Sequence, residues 1–266
     1  MTKEKQDVRI GPAGIGSAKD AQYTLDEYRQ RGIKAAEIPF TYKVWMNNEQ
    51  AKAIGNEARK NDVILSIHAQ YWINLNSEEK QKIEASKKRI LECCEVGHYL
   101  GAKYIVFHAA FYGNNGKKKV YVAVKKAIIE MQKIIKKNKW QVALAPETTG
   151  KASQFGDLDE LIKLNKETGC FFCVDFAHLK ARYNGKINYK EIFEKLKKFS
   201  RLHAHFSGIE FTEKGERRHI ITGDEKWREL LKWIKRYNMS ITIINESPDP
   251  VNDSLKGIRI WKSISK

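Results

Sequence analysis

The chain has 266 residues, 42% of them hydrophobic, which suits one large α/β domain with its own core and excludes a disordered chain. Lysine and arginine number 49 against 32 aspartates and glutamates, a formal net charge of +17. That excess points to a polyanion such as DNA or RNA; a Lys/Glu-rich thermophile-type surface explains many charges but not the imbalance. The opening MTKEKQDVRI carries no apolar h-region, and no apolar run approaches the roughly 20 residues that span a bilayer, so a cytoplasmic protein is expected.

From end to end the pattern alternates strand and helix. Strand one is RIGPAG (9–14), followed by a helix opened by the capping-box spacing Thr24-Leu-Asp-Glu27. Strand two is AAEIPF (35–40), with a helix over about 49–60; strand three is VILSIHA (63–69), with a long helix from Ser77 to about Leu100. Strand four is YIVFHAA (104–110), and KKKVYVAVKKAIIEMQKIIKK after it is apolar at helical spacing. Strand five is WQVALAPE (140–147), then a helix over about 157–167; strand six is FFCVDFA (171–177), then a helix over about 189–199. Strand seven is LHAHFSG (202–208), with a helix over about 225–237, and strand eight is SITIINE (240–246), with a last helix from about Asp253.

Eight near-continuous apolar strands alternating with amphipathic helices, with no Pro/Ser-rich linker, predict a single-domain (β/α)8 barrel over 1–266. A doubly wound open sheet is the alternative, but it would not bring the ends of strands three to eight to one point. In a barrel all βα loops open on the C-terminal face, where this fold places its chemistry. The Gly-rich GPAGIGSA (11–18) lacks the dinucleotide G-x-G-x-x-G spacing and reads as a tight βα loop. Cys93 and Cys94 are adjacent in a helix, and Cys170 and Cys173 flank Phe-Phe in a strand. Neither pair fits a redox or zinc-ribbon motif, so buried free thiols are expected.

Six successive strands carry a potential metal ligand at or just past the C-terminal end: His68, His108, Glu147, Asp175 with His178, His205 and Glu246. Histidine and carboxylate are the side chains that hold zinc-type ions. A carboxylate ending an apolar strand is costly unless paired with an Arg or Lys or bound to a cation. One such residue means little; six in register predict one face carrying several metal ions. His219 lies in the loop after strand seven, His203 shares the face of His205 one layer deeper as a supporting or core residue, and His98 sits mid-helix with no site role. Tyr42, Lys43 and Trp45, Tyr71 and Trp72, Phe111 and Tyr112, and Lys117, Lys118 and Lys119 populate the same loops, a mixture that suits a nucleic-acid groove or ordinary loop packing.

With these residues in place, the chain resembles the endonuclease IV family of apurinic/apyrimidinic endonucleases. The resemblance runs through SIHAQYWINL (66–75), VFHAAFYG (106–113), PETTGK (146–151), VDFAHLKAR (174–182), HFSG (205–208) and NESPD (245–249). It implies a (β/α)8 barrel with up to three zinc ions, manganese being an alternative. It also implies a phosphodiesterase of DNA repair that attacks 5′ to an abasic site through a metal-bridged hydroxide and leaves a 3′-hydroxyl. By matching motif, His68, His108 and Glu147 would hold one ion. Glu147 would bridge to a second held by Asp175, His205 and Glu246, which makes it the catalytic carboxylate. His178 and His219 would hold the third. Tyr71 matches the aromatic that enters the minor groove, and Lys43 and Arg217 are further DNA-contact candidates. The partner implied is duplex DNA with abasic lesions, met by a monomer.

The match breaks in one loop. The family carries Asp-x-His where this chain reads Lys214-Gly-Glu-Arg-Arg-His219, which puts Arg217 at the aspartate position. A guanidinium has no lone pair for a cation, so Glu216 is the expected substitute ligand; the rival is that Arg217 contacts phosphate directly. The competing reading of the whole site is a sugar isomerase or epimerase using one metal on Glu147, Asp175, His205 and Glu246.

Overall fold

The computed structural model describes residues 6–265. The parallel wall is formed by β1 (Val8–Pro12), β2 (Ala35–Pro39), β3 (Ile64–His68), β4 (Tyr104–Phe107), β5 (Ala143–Pro146), β6 (Cys173–Asp175) and β7 (Arg201–Phe206). It is completed, after a separate hairpin of β8 (Gly208–Thr212) and β9 (Gly215–Ile220), by β10 (Ser240–Asn245). Two four-stranded arcs, β1-β10-β7-β6 and β2-β3-β4-β5, are joined by bridges from Ala13 to Glu37 and from Glu147 to Cys173. The wall therefore closes into the expected eight-stranded barrel.

Parallel neighbours need crossovers, supplied by α1 (Ala21–Arg31), α2 (Asn48–Lys60), α3 (Lys80–Leu100), α4 (Lys117–Lys137), α5 (Leu158–Thr168), α6 (Phe176–Arg182), α7 (Tyr189–Leu196) and α8 (Asp224–Arg236), while α9 (Pro250–Ser265) follows the last strand and packs back against β1. The strands are apolar on both faces because helices cover them outside and the barrel fills inside. Gly11 matters to closure: a Cβ there would collide with the Ala35 carbonyl oxygen on β2.

Four expectations are corrected. Helix α1 begins at Ala21 rather than at a Thr24 cap, because the Thr24 N–H already donates to the Asp20 carbonyl at 2.9 Å. Helix α3 begins at Lys80, since Ser77 Oγ instead accepts from the Glu79 N–H in a local turn. Phe176 and Ala177 belong to α6, not to strand six, because Asp175 caps that helix through the His178 N–H at 2.7 Å. The final helix starts at Pro250, a residue suited to the first helical position where no N–H is needed. The four cysteines are free and buried, as expected. Among the described residues no helix is long and apolar enough to cross a membrane. The leader-free reading of the N-terminus rests on MTKEKQDVRI (1–10), of which residues 1–5 lie outside the described residues.

Candidate metal centre

Glu147 follows β5, and its N–H is tied to the Phe107 carbonyl at 3.0 Å, which fixes it at the barrel mouth. It is 1% exposed. Its two oxygens face different imidazoles: Oε2 lies 2.9 Å from His108 Nε2 and 3.3 Å from His68 Nε2, whereas Oε1 lies 2.9 Å from His205 Nδ1 and 3.4 Å from His178 Nδ1. Each oxygen therefore serves a different pair of imidazoles.

Asp175 ends β6 beside His205 on β7, its register partner. One of its oxygens caps α6; the other, Oδ2, is buried with no hydrogen-bond partner. Glu246, just past β10, reaches within 3.4 Å of His205 Nδ1. Ligand atoms of Glu147, Asp175, His205 and Glu246 all lie within 4.8 Å of one another, as do those of His68, His108 and Glu147, and those of Asp175, His178 and His219. The three groups overlap through Glu147 and Asp175.

The third group depends on the β8–β9 hairpin, which replaces the loop expected after strand seven. Its register pairs Ile209 with His219 and Phe211 with Glu216, but Glu210 with Arg218, so Arg217 is an unpaired bulge residue. Paired residues share a face, and Ile209 and Phe211 are two apart on one strand. The bulge therefore turns Glu216 and His219, three apart in sequence, to the same side. Glu216 Oε2 lies 3.1 Å from His178 Nε2, and Arg217 is exposed. Glu216 reaches this position over Gly150, whose N–H donates to Oε2 at 3.1 Å and whose missing side chain leaves the space.

Outer contacts orient the rings. His178 Nδ1 lies 3.0 Å from the Thr148 carbonyl and His68 Nδ1 lies 2.8 Å from the Ala69 carbonyl; a carbonyl only accepts, so each Nδ1 carries the proton and Nε2 is free. Ser207 Oγ donates to the Gly208 carbonyl and accepts from His219 Nδ1 at 2.6 Å, which frees His219 Nε2 in the same way. Carbonyl or hydroxyl support behind the ring is the usual arrangement for a ligating histidine.

Among the described residues, Glu147, Asp175 and Glu246 pair with imidazoles and with no Lys or Arg. Burial pushes Glu147 up, but His205 and His108 outweigh it and hold it well below the ordinary carboxylate range. Glu246 behaves alike, burial opposing and His205 lowering it to about 2. Burial raises Asp175, relieved only in part by His178. Burial opposes a charge on His68, yet Glu147 and Glu37 lift it to about 9; His178 and His205 are lifted well above their usual value against the same opposition by Asp175 and Glu147 and by Cys173 and Glu246 respectively. Buried acids neutralised only by imidazoles, with Asp175 Oδ2 making no hydrogen bond and only an ion-pair approach of 3.3 Å to His178 Nδ1, fit divalent cations in place of those protons.

Tyr71, Trp72, Tyr42 and Phe111 are exposed on the loops around this mouth, and Lys43 is exposed beside them. A cleft of about 540 Å³ is lined by Tyr71, Trp72 and Phe111 together with Lys82 and Arg89. Several supporting residues lie inside the quoted sequence segments, which do not single them out: Thr148, Ser207, Gly150, and Arg182, which binds the Thr149, Lys151 and Gln154 carbonyls and shapes the loop after Glu147. Glu37, deep on β2, is the most consequential of these; it touches His203 and His205.

Fold and site together define a (β/α)8 barrel with fused carboxylate–imidazole groups at the C-terminal mouth. The chain belongs to the xylose isomerase-like TIM barrel family, whose model matches residues 25–264. It is 36% identical over 252 residues to the uncharacterized protein MJ0133 of Methanocaldococcus jannaschii, covering 90% of this chain and 91% of that one. It is 29% identical over 137 residues to a probable endonuclease 4 of Mesomycoplasma hyopneumoniae, about half of each chain (50% and 48%). SacUVDE superposes with a TM-score of 0.76 at 14% identity, over 99% of this chain and 100% of that one. Endonuclease IV from Thermus thermophilus gives 0.70 at 18%, over 97% and 98%. D-psicose 3-epimerase from Clostridium cellulolyticum gives 0.69 at 11%, over 97% and 99%. Identities this low speak for the fold alone.

Proposed function

We propose that the protein is a metal-dependent AP endonuclease that hydrolyses the DNA phosphodiester 5′ to an abasic site. The observation that carries this reading is the overlap of three ligand groups through Glu147 and Asp175, four of whose histidines (His68, His108, His178 and His219) lie outside a single-metal quartet. Zinc suits the mixed imidazole–carboxylate donors. Clustered divalent ions supply countercharge for a phosphodiester transition state and a water nucleophile at neutral pH.

The chain's own residues have distinct roles in this reading. Glu147 faces one imidazole pair with each oxygen and would be the carboxylate that holds two ions together. Glu216 takes the carboxylate role at the third position, with His178 and His219. Exposed Tyr71 enters the minor groove at the lesion, and Lys43 and Arg217 hold backbone phosphates. An abasic sugar has little stacking to lose, so turning it into the mouth costs less than flipping an intact nucleotide. The sequence likeness to a probable endonuclease 4 supports the same assignment.

The second reading is a sugar epimerase with one ion on Glu147, Asp175, His205 and Glu246, a set complete by itself, as the likeness to D-psicose 3-epimerase keeps in view. Metal content of protein purified without added metal, together with incision of a duplex bearing one abasic site, separates the two. About three ions and chelator-sensitive incision are expected. One ion, with ketose conversion and no incision, assigns the protein to the epimerases.

A further inference from the structure

One layer beneath the mouth, the barrel interior holds a buried carboxylate that the ligand set does not use. Glu37 lies mid-strand on β2 and is 1% exposed. Its Oε2 accepts from Ser66 Oγ at 2.7 Å and lies 3.2 Å from His203 Nε2, so two donors converge on one oxygen. The other oxygen, Oε1, is left for His205 Nε2, 2.9 Å away. That approach is off the hydrogen-bond axis, and neither atom has another partner. The contact is therefore held by charge more than by direction. No Lys or Arg pairs with Glu37 among the described residues.

His205 differs from the other imidazoles of the mouth. His68, His178 and His219 have a carbonyl or hydroxyl behind Nδ1 and turn Nε2 inward. His205 is reversed: Nδ1 faces Glu147 and Glu246, and Nε2 faces down to Glu37. A neutral imidazole has one proton to place; Nδ1 lies 2.9 Å from Glu147 Oε1 in a hydrogen bond, so a cation taken up at Nδ1 would displace any proton there and leave Nε2, beside the Glu37 carboxylate, as the protonated nitrogen.

We propose that Glu37 is a positioning residue acting through His205: it keeps the ring proton on Nε2 so that Nδ1 is presented to the cation shared with Glu147, Asp175 and Glu246. Ser66 and His203 fix the carboxylate so that Oε1 cannot turn away. Cys173, His203 and His205 also come within 4.8 Å of one another and form a rival, deeper ion site. The proposal rests on the metal reading of the site but not on the substrate.

The test is metal retention by purified holoprotein under competition from a chelator, for wild type and Glu37→Gln. Glutamine keeps the volume and loses the charge. One metal equivalent is expected to weaken by about 10- to 100-fold, the usual loss for a partner behind a ligating histidine, with the others unchanged. Circular dichroism and a thermal melt check that the variant folds. Unchanged affinity of every equivalent overturns the proposal. Histidine 15N spectra of wild-type holoprotein give a reading that needs no variant: a protonated Nε2 and a metal-bound Nδ1 on His205 are expected, and a metal-bound Nε2 overturns it. Wild-type protein that binds no metal overturns the proposed function as well, whereas tight wild-type binding with an indifferent Glu37→Gln overturns only the role of Glu37.

Discussion

At the residue scale the centre turns on one side chain. Glu147 touches four imidazoles with two oxygens, so replacing it by glutamine removes one negative charge from two ligand groups at once. Glu147→Gln is expected to lower kcat for abasic-site incision by on the order of 10²–10³ or more while DNA binding is largely kept. Steady-state incision and a binding titration check this, and turnover within a few-fold of wild type would show that Glu147 is not a bridging ligand. In the metal-free chain the imidazoles of the site hold protons against the buried carboxylates. His68 rises to about 9 in the folded chain, above its usual 6.5. A raised pKa stabilises the fold fully below the unfolded value and loses that contribution as pH climbs through the folded one. Chelator-treated protein should therefore melt at progressively lower temperature between about pH 6.5 and 9, and metal-loaded protein should not follow it. Parallel melting curves for the two forms would contradict the protonated state of the site.

The strand-end ligands were legible because each is a polar residue closing an apolar run, where an unpaired charge is expensive. Glu37 was not. It stands inside AAEIPF, and the imidazoles that give it a purpose come from β7, more than 160 residues away in sequence. Only the closed barrel brings them together. The preference of His205 for Nδ1 was equally hidden, since the periodicity places a ring on a face without choosing its nitrogen.

At the element scale, the β8–β9 hairpin decides the third ligand group. IEFT and GERRH carry no strong apolar alternation, so this hairpin reads as a loop in the sequence and its bulge cannot be inferred. The bulge nevertheless resolves the mismatch in the sequence. Removing Arg217 leaves Glu-x-His, whose two side chains face the same way on a regular strand. Deletion of Arg217 is therefore expected to keep Glu216 and His219 together and to preserve metal content. Glu216→Ala should cost one metal equivalent. Gly150→Ala should do the same without touching a ligand, because the new Cβ occupies the place of the Glu216 carboxylate. Metal analysis of the three variants decides the point: a lost equivalent in the deletion, or none lost in the other two, would show that Glu216 does not complete the third position and leave Arg217 to contact phosphate.

The eightfold alternation that betrayed the barrel follows from parallel strands buried on both faces, and a barrel alone among such sheets gathers all strand ends at one mouth. At the scale of the whole molecule, charge then separates the two chemistries that this family's fold accommodates. A neutral sugar has no use for a formal net charge of +17, whereas duplex DNA presents a phosphate every few ångströms. Lys43 after β2, Lys117, Lys118 and Lys119 at the start of α4, and Arg217 on the hairpin are all exposed on segments that follow strand C-termini, on the side of the ligand groups. Each phosphate that such a residue neutralises releases condensed counterions, so binding should weaken steeply with salt. With six to ten contacts the loss is about 10³- to 10⁵-fold between 50 and 200 mM. Lys43→Glu or Lys118→Glu should lower affinity for every duplex alike and flatten the salt slope by about one contact each, without altering metal content. Titration of labelled duplex across that salt range, with and without an abasic site, measures both quantities. A salt-indifferent affinity would leave the positive charge as a general surface property and return the quartet of Glu147, Asp175, His205 and Glu246 to sugar chemistry.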